Sequence, residues 1–234
     1  ILLKYAYFCS YSKKNVPLQG FYTTKYAMMT TPLDILTANI RLIIFDLDGT
    51  IYCKKGIVRR MICAAPRDWR MMLAERKTRK IMRGKWYGSE EVFYQNYFNQ
   101  MAKYCSRTPE QVCEWYERKY MPLMVEIIRK HHKTVEWLDP FVKDCQHANV
   151  KLMVLSDYGH TQEKLKALGV DQNIFEWIIS APQLGGLKPA PQLMNRITEH
   201  VEVAAEQCLV IGDRVDTDGE MAKKTGAAFC LVNN

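Results

Sequence analysis

The chain has 234 residues, 48% of them apolar, enough to bury a core in one or two domains. No run approaches the roughly 18 consecutive apolar residues of a membrane-spanning helix, and no repeat or low-complexity tract stands out, which excludes a helical membrane span and a repeat architecture. The net charge of +8 is unevenly placed: residues 56–134 hold 17 Lys and Arg against 8 Asp and Glu, while the remainder is close to neutral.

Residues 1–40, where the first acid is Asp34, show no clear pattern. They read by default as a poorly ordered N-terminal extension, with Met28 or Met29 a candidate native start. Ile43, Ile44 and Phe45 then form a buried strand that ends in two carboxylates, Asp46 and Asp48. Asp48-Gly49 is also a common hairpin turn, but Thr50-Ile-Tyr-Cys-Lys-Lys-Gly56 is short and charged for a second strand. After it the period becomes helical. Ser89 opens a helix carrying Phe93, Tyr97, Phe98 and Met101 on one side. Thr108-Pro-Glu-Gln111 is a helix start of N-cap, Pro and Gln three residues on, and Pro122 should kink or split the helix that follows. Residues 56–134 therefore read as an all-helical unit whose aromatic stripes are packing surfaces.

From Asp139 strands and helices alternate. Strands are expected at 151–155, 177–180, 208–211 and 228–232, and helices at 140–148, 162–168, 191–200 and 219–224. Alternation of this kind implies a parallel sheet covered on both faces, and only the strand before Asp46 can complete it. The fold class is α/β, a doubly wound parallel sheet. Its core is formed by 41–55 and 135–234, and the all-helical unit 56–134 is inserted as a separate domain. Eight scattered cysteines, without a C-x-x-C pair or a histidine at zinc-ligand spacing, favour a reducing cytoplasm over a disulfide framework.

Polar groups follow the strand ends. Strand 151–155 runs into Ser156-Asp157, the loop after Ser180 carries Lys188, and strand 208–211 runs into Gly212-Asp-Arg-Val-Asp-Thr-Asp218. Singly, Ser156 is an N-cap, Lys188 a surface lysine, and the Asp213–Asp218 run an acidic loop capping a helix. Together with Asp46 and Asp48 they would converge on one edge of a parallel sheet, where ligands bind.

With these residues in this order the chain resembles the haloacid dehalogenase superfamily, whose members carry D-x-D-G-T, a Ser or Thr at a strand end, a Lys and G-D-x-x-x-x-D. The matches are Asp46-Leu-Asp-Gly-Thr50, Ser156, Lys188 and Gly212-Asp213 through Asp218, over roughly 41–55 and 136–234. The helical insertion stands where many members place a helical cap, on a Rossmann-like core. The resemblance implies that Asp46 is a nucleophile forming an aspartyl-phosphate, and that Asp48 is the acid and then the base. It implies Mg2+ held by Asp46, the Asp48 backbone carbonyl, Asp213 and Asp218, with Ser156 and Lys188 binding the phosphate. Asp216 would be a bystander. Asp157 departs from the small or amide residues common after the Ser. Asp48 separates the chain from the dehalogenating branch, which lacks an acid there, and resembles phosphatases and phosphomutases.

The expected function is a Mg2+-dependent phosphomonoester hydrolase of the cytoplasm acting on a small phosphorylated metabolite. The basic stretch Arg59, Arg60, Arg67, Arg70, Arg76, Lys77, Arg79, Lys80, Arg83 and Lys85 is a candidate substrate contact. The alternatives are a phosphomutase on a sugar phosphate and, with less support, a non-catalytic protein binding nucleic acid through the basic helices. No membrane partner is expected, and the sequence does not set the oligomeric state.

Overall fold

Five short apolar runs build one parallel sheet in the computed structural model, which describes residues 39–233. The strands are β1 (Leu42–Phe45), β2 (Lys151–Ser156), β3 (Trp177–Ser180), β4 (Cys208–Gly212) and β5 (Ala228–Leu231), in the order β3-β2-β1-β4-β5. All four strand pairs are parallel. The extension expected over 1–40 lies outside the described residues except for its last two positions.

The side-chain period of two explains why a four-residue strand can be wholly apolar. Ile43 and Phe45 enter one core cluster, with Leu138, Phe141 and Val142 of α6 (Leu138–His147) and Leu165 of α7 (Thr161–Ala167). Leu42 and Ile44 enter the other, with Leu193, Met194 and Ile197 of α8 (Pro191–Val201) and Met221 and Ala222 of α9 (Glu220–Thr225). Helices thus cover both faces, as a doubly wound sheet requires. The chain runs outward from β1 to β2 and β3, then crosses back to β4 and β5. The reversal leaves a crevice at the carboxyl ends of β1 and β4, next to β2.

Five helices stand between β1 and α6: α1 (Ile57–Ala64), α2 (Trp69–Met82), α3 (Glu90–Cys105), α4 (Pro109–Trp115) and α5 (Met121–His131). Ser89 caps α3, and Thr108 with Gln111 forms a reciprocal capping box on α4. The helix expected to kink or split at Pro122 is interrupted just before it: backbone runs helical from α4 into α5 through a single π turn over Tyr116–Tyr120, and Pro122 follows in the first turn of α5. The segment leaves and re-enters the sheet through paired strands of chain, with Val135 N–H donating to the Ile51 carbonyl at 2.9 Å and Tyr52 bridging Thr134. No helix among the described residues is long and apolar enough to cross a membrane.

Phe45 is the best test of this core. It is fully buried and meets the rings of Trp137, Phe141 and Phe175 at centroid distances of 6.5, 6.1 and 6.3 Å. Phe45→Ala should cost about 3–5 kcal/mol. The expected readout is a lower denaturant midpoint at unchanged m-value; a midpoint within error of wild type would contradict the packing.

Candidate active site

The register of the sheet brings the site together. Phe45 is level with Val154 of β2 and Ile211 of β4, so Asp46 leaves β1 beside Leu155 and Gly212, at the carboxyl ends of β2 and β4. Asp46 N–H still donates to the Ile211 carbonyl at 2.9 Å, which fixes its backbone at the sheet edge. The chain then turns sharply. Thr50 and Ile51 N–H groups both reach the Leu47 carbonyl, and Gly49 has φ +111°. A Cβ on Gly49 would also lie 2.4 Å from an Asp213 carboxylate oxygen, so geometry and space both demand glycine. Gly212 is constrained by space alone, its absent Cβ lying 2.5 Å from the carboxyl carbon of Asp218. A single π turn over Val215–Gly219 carries Asp218 back toward β4.

Asp46 is buried, and its two carboxylate oxygens are separately held. Thr50 Oγ1 donates to Oδ2 at 2.9 Å and Lys188 Nζ to Oδ1 at 2.6 Å. The same ammonium donates to Asp218 Oδ1 at 2.6 Å and to the Leu155 carbonyl at 3.2 Å, spending all three of its protons. Asp213 pairs with Lys54 at 2.6 Å. Asp46, Asp213 and Asp218 each offer a carboxylate oxygen within 4.8 Å of the others. Three hard oxygen donors at that spacing fit a divalent cation of the Mg2+ or Ca2+ type. Without one they repel. Burial pushes Asp46 up to about 6 despite the opposing Lys188, and nearby Asp218 and Asp48 add to the rise. Burial likewise raises Asp218 and Asp213.

Asp48 has the opposite surroundings. Tyr52 Oη donates to its Oδ1 at 2.5 Å, Lys164 Nζ to both oxygens at 3.0 and 2.9 Å, and Ser156 Oγ to Oδ2 at 2.9 Å. Burial alone would raise its pKa, but Lys164, Tyr52 and Ser156 together hold the carboxyl below its usual range. Ser156 therefore stands beside Asp48, with its oxygen also accepting from Tyr158 N–H at 3.0 Å. Lys188, Asp213 and Asp218 surround Asp46. Asp216 lies apart at the surface, bonded to Arg214 and Arg83.

Sequence reasoning missed Lys164 and Tyr52. A signal was present for the first: Thr161, Lys164 and Leu165, with Leu168 just past the helix end, follow one stripe of α7 at helical spacing, so a lysine stands where an apolar residue belongs. Tyr52, fully buried, gave none. Asp157, the departure from the family pattern, accepts the Lys188 backbone N–H at 3.0 Å and so positions the lysine loop. Of the ten basic residues over 59–85, Arg59, Arg67, Arg70, Arg76, Lys77, Lys80 and Lys85 are exposed. Arg79 turns inward. It pairs with Glu75 at 2.8 Å, donates to Tyr97 Oη and the Asp157 carbonyl, and stacks 3.8 Å over the Tyr158 ring.

The family model of haloacid dehalogenase-like hydrolases matches residues 40–226. Among solved structures, β-phosphoglucomutase from Clostridium difficile is similar at 20% identity and TM-score 0.59, over 83% of this chain and 85% of that one. The hydrolase YfnB from Bacillus subtilis, bound to magnesium, follows at 18% identity and TM-score 0.57, over 82% and 88%. A 2-haloacid dehalogenase from Pseudomonas syringae pv. Tomato DC3000 shares 16% identity with TM-score 0.56, over 81% and 85%. At these identities the likeness concerns the fold. No curated protein sequence matches the chain.

The Asp46 environment predicts a pH signature in chelator. Because its folded pKa lies above the unfolded value, the folded state keeps a proton that the unfolded chain has released between about pH 4 and 6. This contribution is therefore present at low pH and lost as pH rises through 6. Asp46→Asn should gain stability relative to wild type across that window, measured as melting temperature at successive pH values. A constant difference would refute the burial effect.

Proposed function

The chain belongs to the haloacid dehalogenase-like hydrolases, and from that premise we propose that it is a Mg2+-dependent phosphomonoester hydrolase acting on a small phosphorylated metabolite. The observation that carries the reading is the second carboxyl, Asp48, built into the same strand end as Asp46 and held by Ser156. A halide leaves as an anion without a proton donor. An ester oxygen leaves well only if protonated, and a nearby carboxyl is what supplies that proton. The three-acid cluster and Lys188 likewise suit a transferring phosphoryl group, whose charge must be neutralised.

In this reading Asp46 attacks phosphorus in line. A bond forms from its carboxylate oxygen as the ester P–O bond breaks, leaving an aspartyl-phosphate. Asp48 gives its proton to the departing oxygen. It then takes a proton from the water that attacks the intermediate, releasing phosphate and restoring Asp46. Ser156 and Lys188 bind the transferring oxygens. Mg2+ bound by Asp46, Asp213, Asp218 and the Asp48 carbonyl would supply positive charge that keeps Asp46 ionised and offsets phosphoryl charge. Helices α1–α5 act as a cap: Tyr87 N–H donates to the Gly185 carbonyl at 2.7 Å and Leu187 N–H to the Lys85 carbonyl at 3.1 Å, so the segment rests on the loop that carries Lys188. Such a cover would exclude bulk water and contribute substrate contacts. The cysteine usage suits work in a reducing cytoplasm.

The test is phosphate release from a panel of phosphorylated metabolites with Mg2+. Chelation and Asp46→Asn should each abolish release, and Asp213→Asn should raise the Mg2+ concentration needed for half-maximal rate. Release that survives both chelation and Asp46→Asn would sink the mechanism. Phosphate retained on an isomerised sugar product would identify a phosphomutase instead.

A further inference from the structure

The phosphatase reading assigns Asp48 a proton-transfer role but does not say what keeps its side chain in place. We propose that Lys164 is a positioning residue for that step, fixing the Asp48 carboxyl beside Ser156 so that its proton reaches the leaving oxygen. The inference rests on the proposed function and adds to it a residue outside the four motif segments.

Four observations carry it. Lys164 is wholly buried, and Asp48 is its one ion-pair partner among the described residues. Its ammonium touches both carboxylate oxygens, at 3.0 and 2.9 Å, so it constrains rotation of the carboxyl as a single-point contact would not. With Tyr52 on Oδ1 and Ser156 on Oδ2, the donors match the four or so acceptor sites of a carboxylate. The ring of Tyr158 closes over the ammonium at 4.9 Å, which leaves it facing Asp48.

Stability does not account for the lysine. A buried ammonium pays heavily for lost hydration, and well-packed apolar residues in place of a buried ion pair are often as stable or more so. Leu165 and Thr161, its neighbours on the stripe, show that the position lies on the packed face of α7. What the lysine adds over a leucine is the hold on Asp48.

The experiment uses phenyl phosphates whose leaving phenols differ in acidity, from 4-nitrophenyl to unsubstituted phenyl phosphate, and follows kcat/KM, which excludes hydrolysis of the intermediate. A poor leaving group depends on proton donation, a good one much less. In Lys164→Met, kcat/KM should fall about 10-fold more for phenyl phosphate than for 4-nitrophenyl phosphate. Lys164→Arg should recover much of the difference. Lys164→Gln, which keeps a neutral donor in place of the ammonium, should shift it in the same direction by less, and supplies the test if Lys164→Met does not fold by its melting curve. Equal losses for all leaving groups would overturn the positioning role while leaving the phosphatase reading intact. A wild type with no Asp46-dependent release from any phenyl phosphate would overturn both.

Discussion

Three apolar strands end against one another in carboxylates, and the structure can tolerate that because of one buried ammonium. Lys188 Nζ donates at 2.6 Å to Asp46 and at 2.6 Å to Asp218, with the Leu155 carbonyl as its third acceptor. Buried charge is stable only when paired and hydrogen-bonded. Removing this cation would leave two carboxyls facing each other at the ends of β1 and β4. The placement of the loops follows from it. The loop after β3 must approach the sheet closely enough to deliver a lysine, and Asp157 at the end of β2 holds that lysine's backbone N–H.

The same loop meets the helical segment. Gly84 N–H reaches the Lys188 carbonyl at 3.2 Å, beside the Tyr87–Gly185 and Leu187–Lys85 bonds. Gly185 and Gly186 permit this approach, since a Cβ on either would lie 2.6 or 2.8 Å from the opposing chain. Arg79 adds a second tie from α2 to the Asp157 carbonyl. Backbone joins to backbone at the point where the site lysine is set, so a movement of the helices would bear directly on Lys188. The link is backbone to backbone and has no charge of its own, but it depends on glycine at 185 and 186.

Much of this was legible in the residues. Alternating apolar runs and helix signals located five strands and their helices to within a residue or two, because a two-sided core writes itself as continuous hydrophobicity in a short strand. Residues at strand ends were legible for the same reason: once β1, β2 and β4 are parallel neighbours, Asp46, Ser156 and Asp213 must leave at one edge. What hides are side chains whose meaning comes from distant partners. Lys164 looks like one more charge in Thr161-Gln-Glu-Lys-Leu-Lys166 until α7 packs against α5 and β3 and the lysine reaches Asp48. Tyr52 resembles any core aromatic. The outward face of α2 was equally hidden: its charge pattern suggested a substrate contact, yet only the packing of Glu75 and Tyr97 shows that Arg79 alone is drawn inward.

The two acids of the strand end sit in surroundings of opposite sign. Burial raises Asp46, and the donors around Asp48 lower it. The proposed roles need the reverse, an ionised nucleophile and a protonated acid. In the proposed reading both corrections come with the cation and the phosphate. A divalent cation among Asp46, Asp213 and Asp218 favours the ionised form of Asp46. Ser156 has a single hydroxyl proton, now given to Asp48 at 2.9 Å. Turning that proton to a phosphate oxygen withdraws one donor from Asp48 and brings a second negative charge near it, and both changes favour a protonated Asp48. On these grounds the protonation states that the proposed roles need follow from the cation and the phosphate that the site would hold, and not from the protein groups alone.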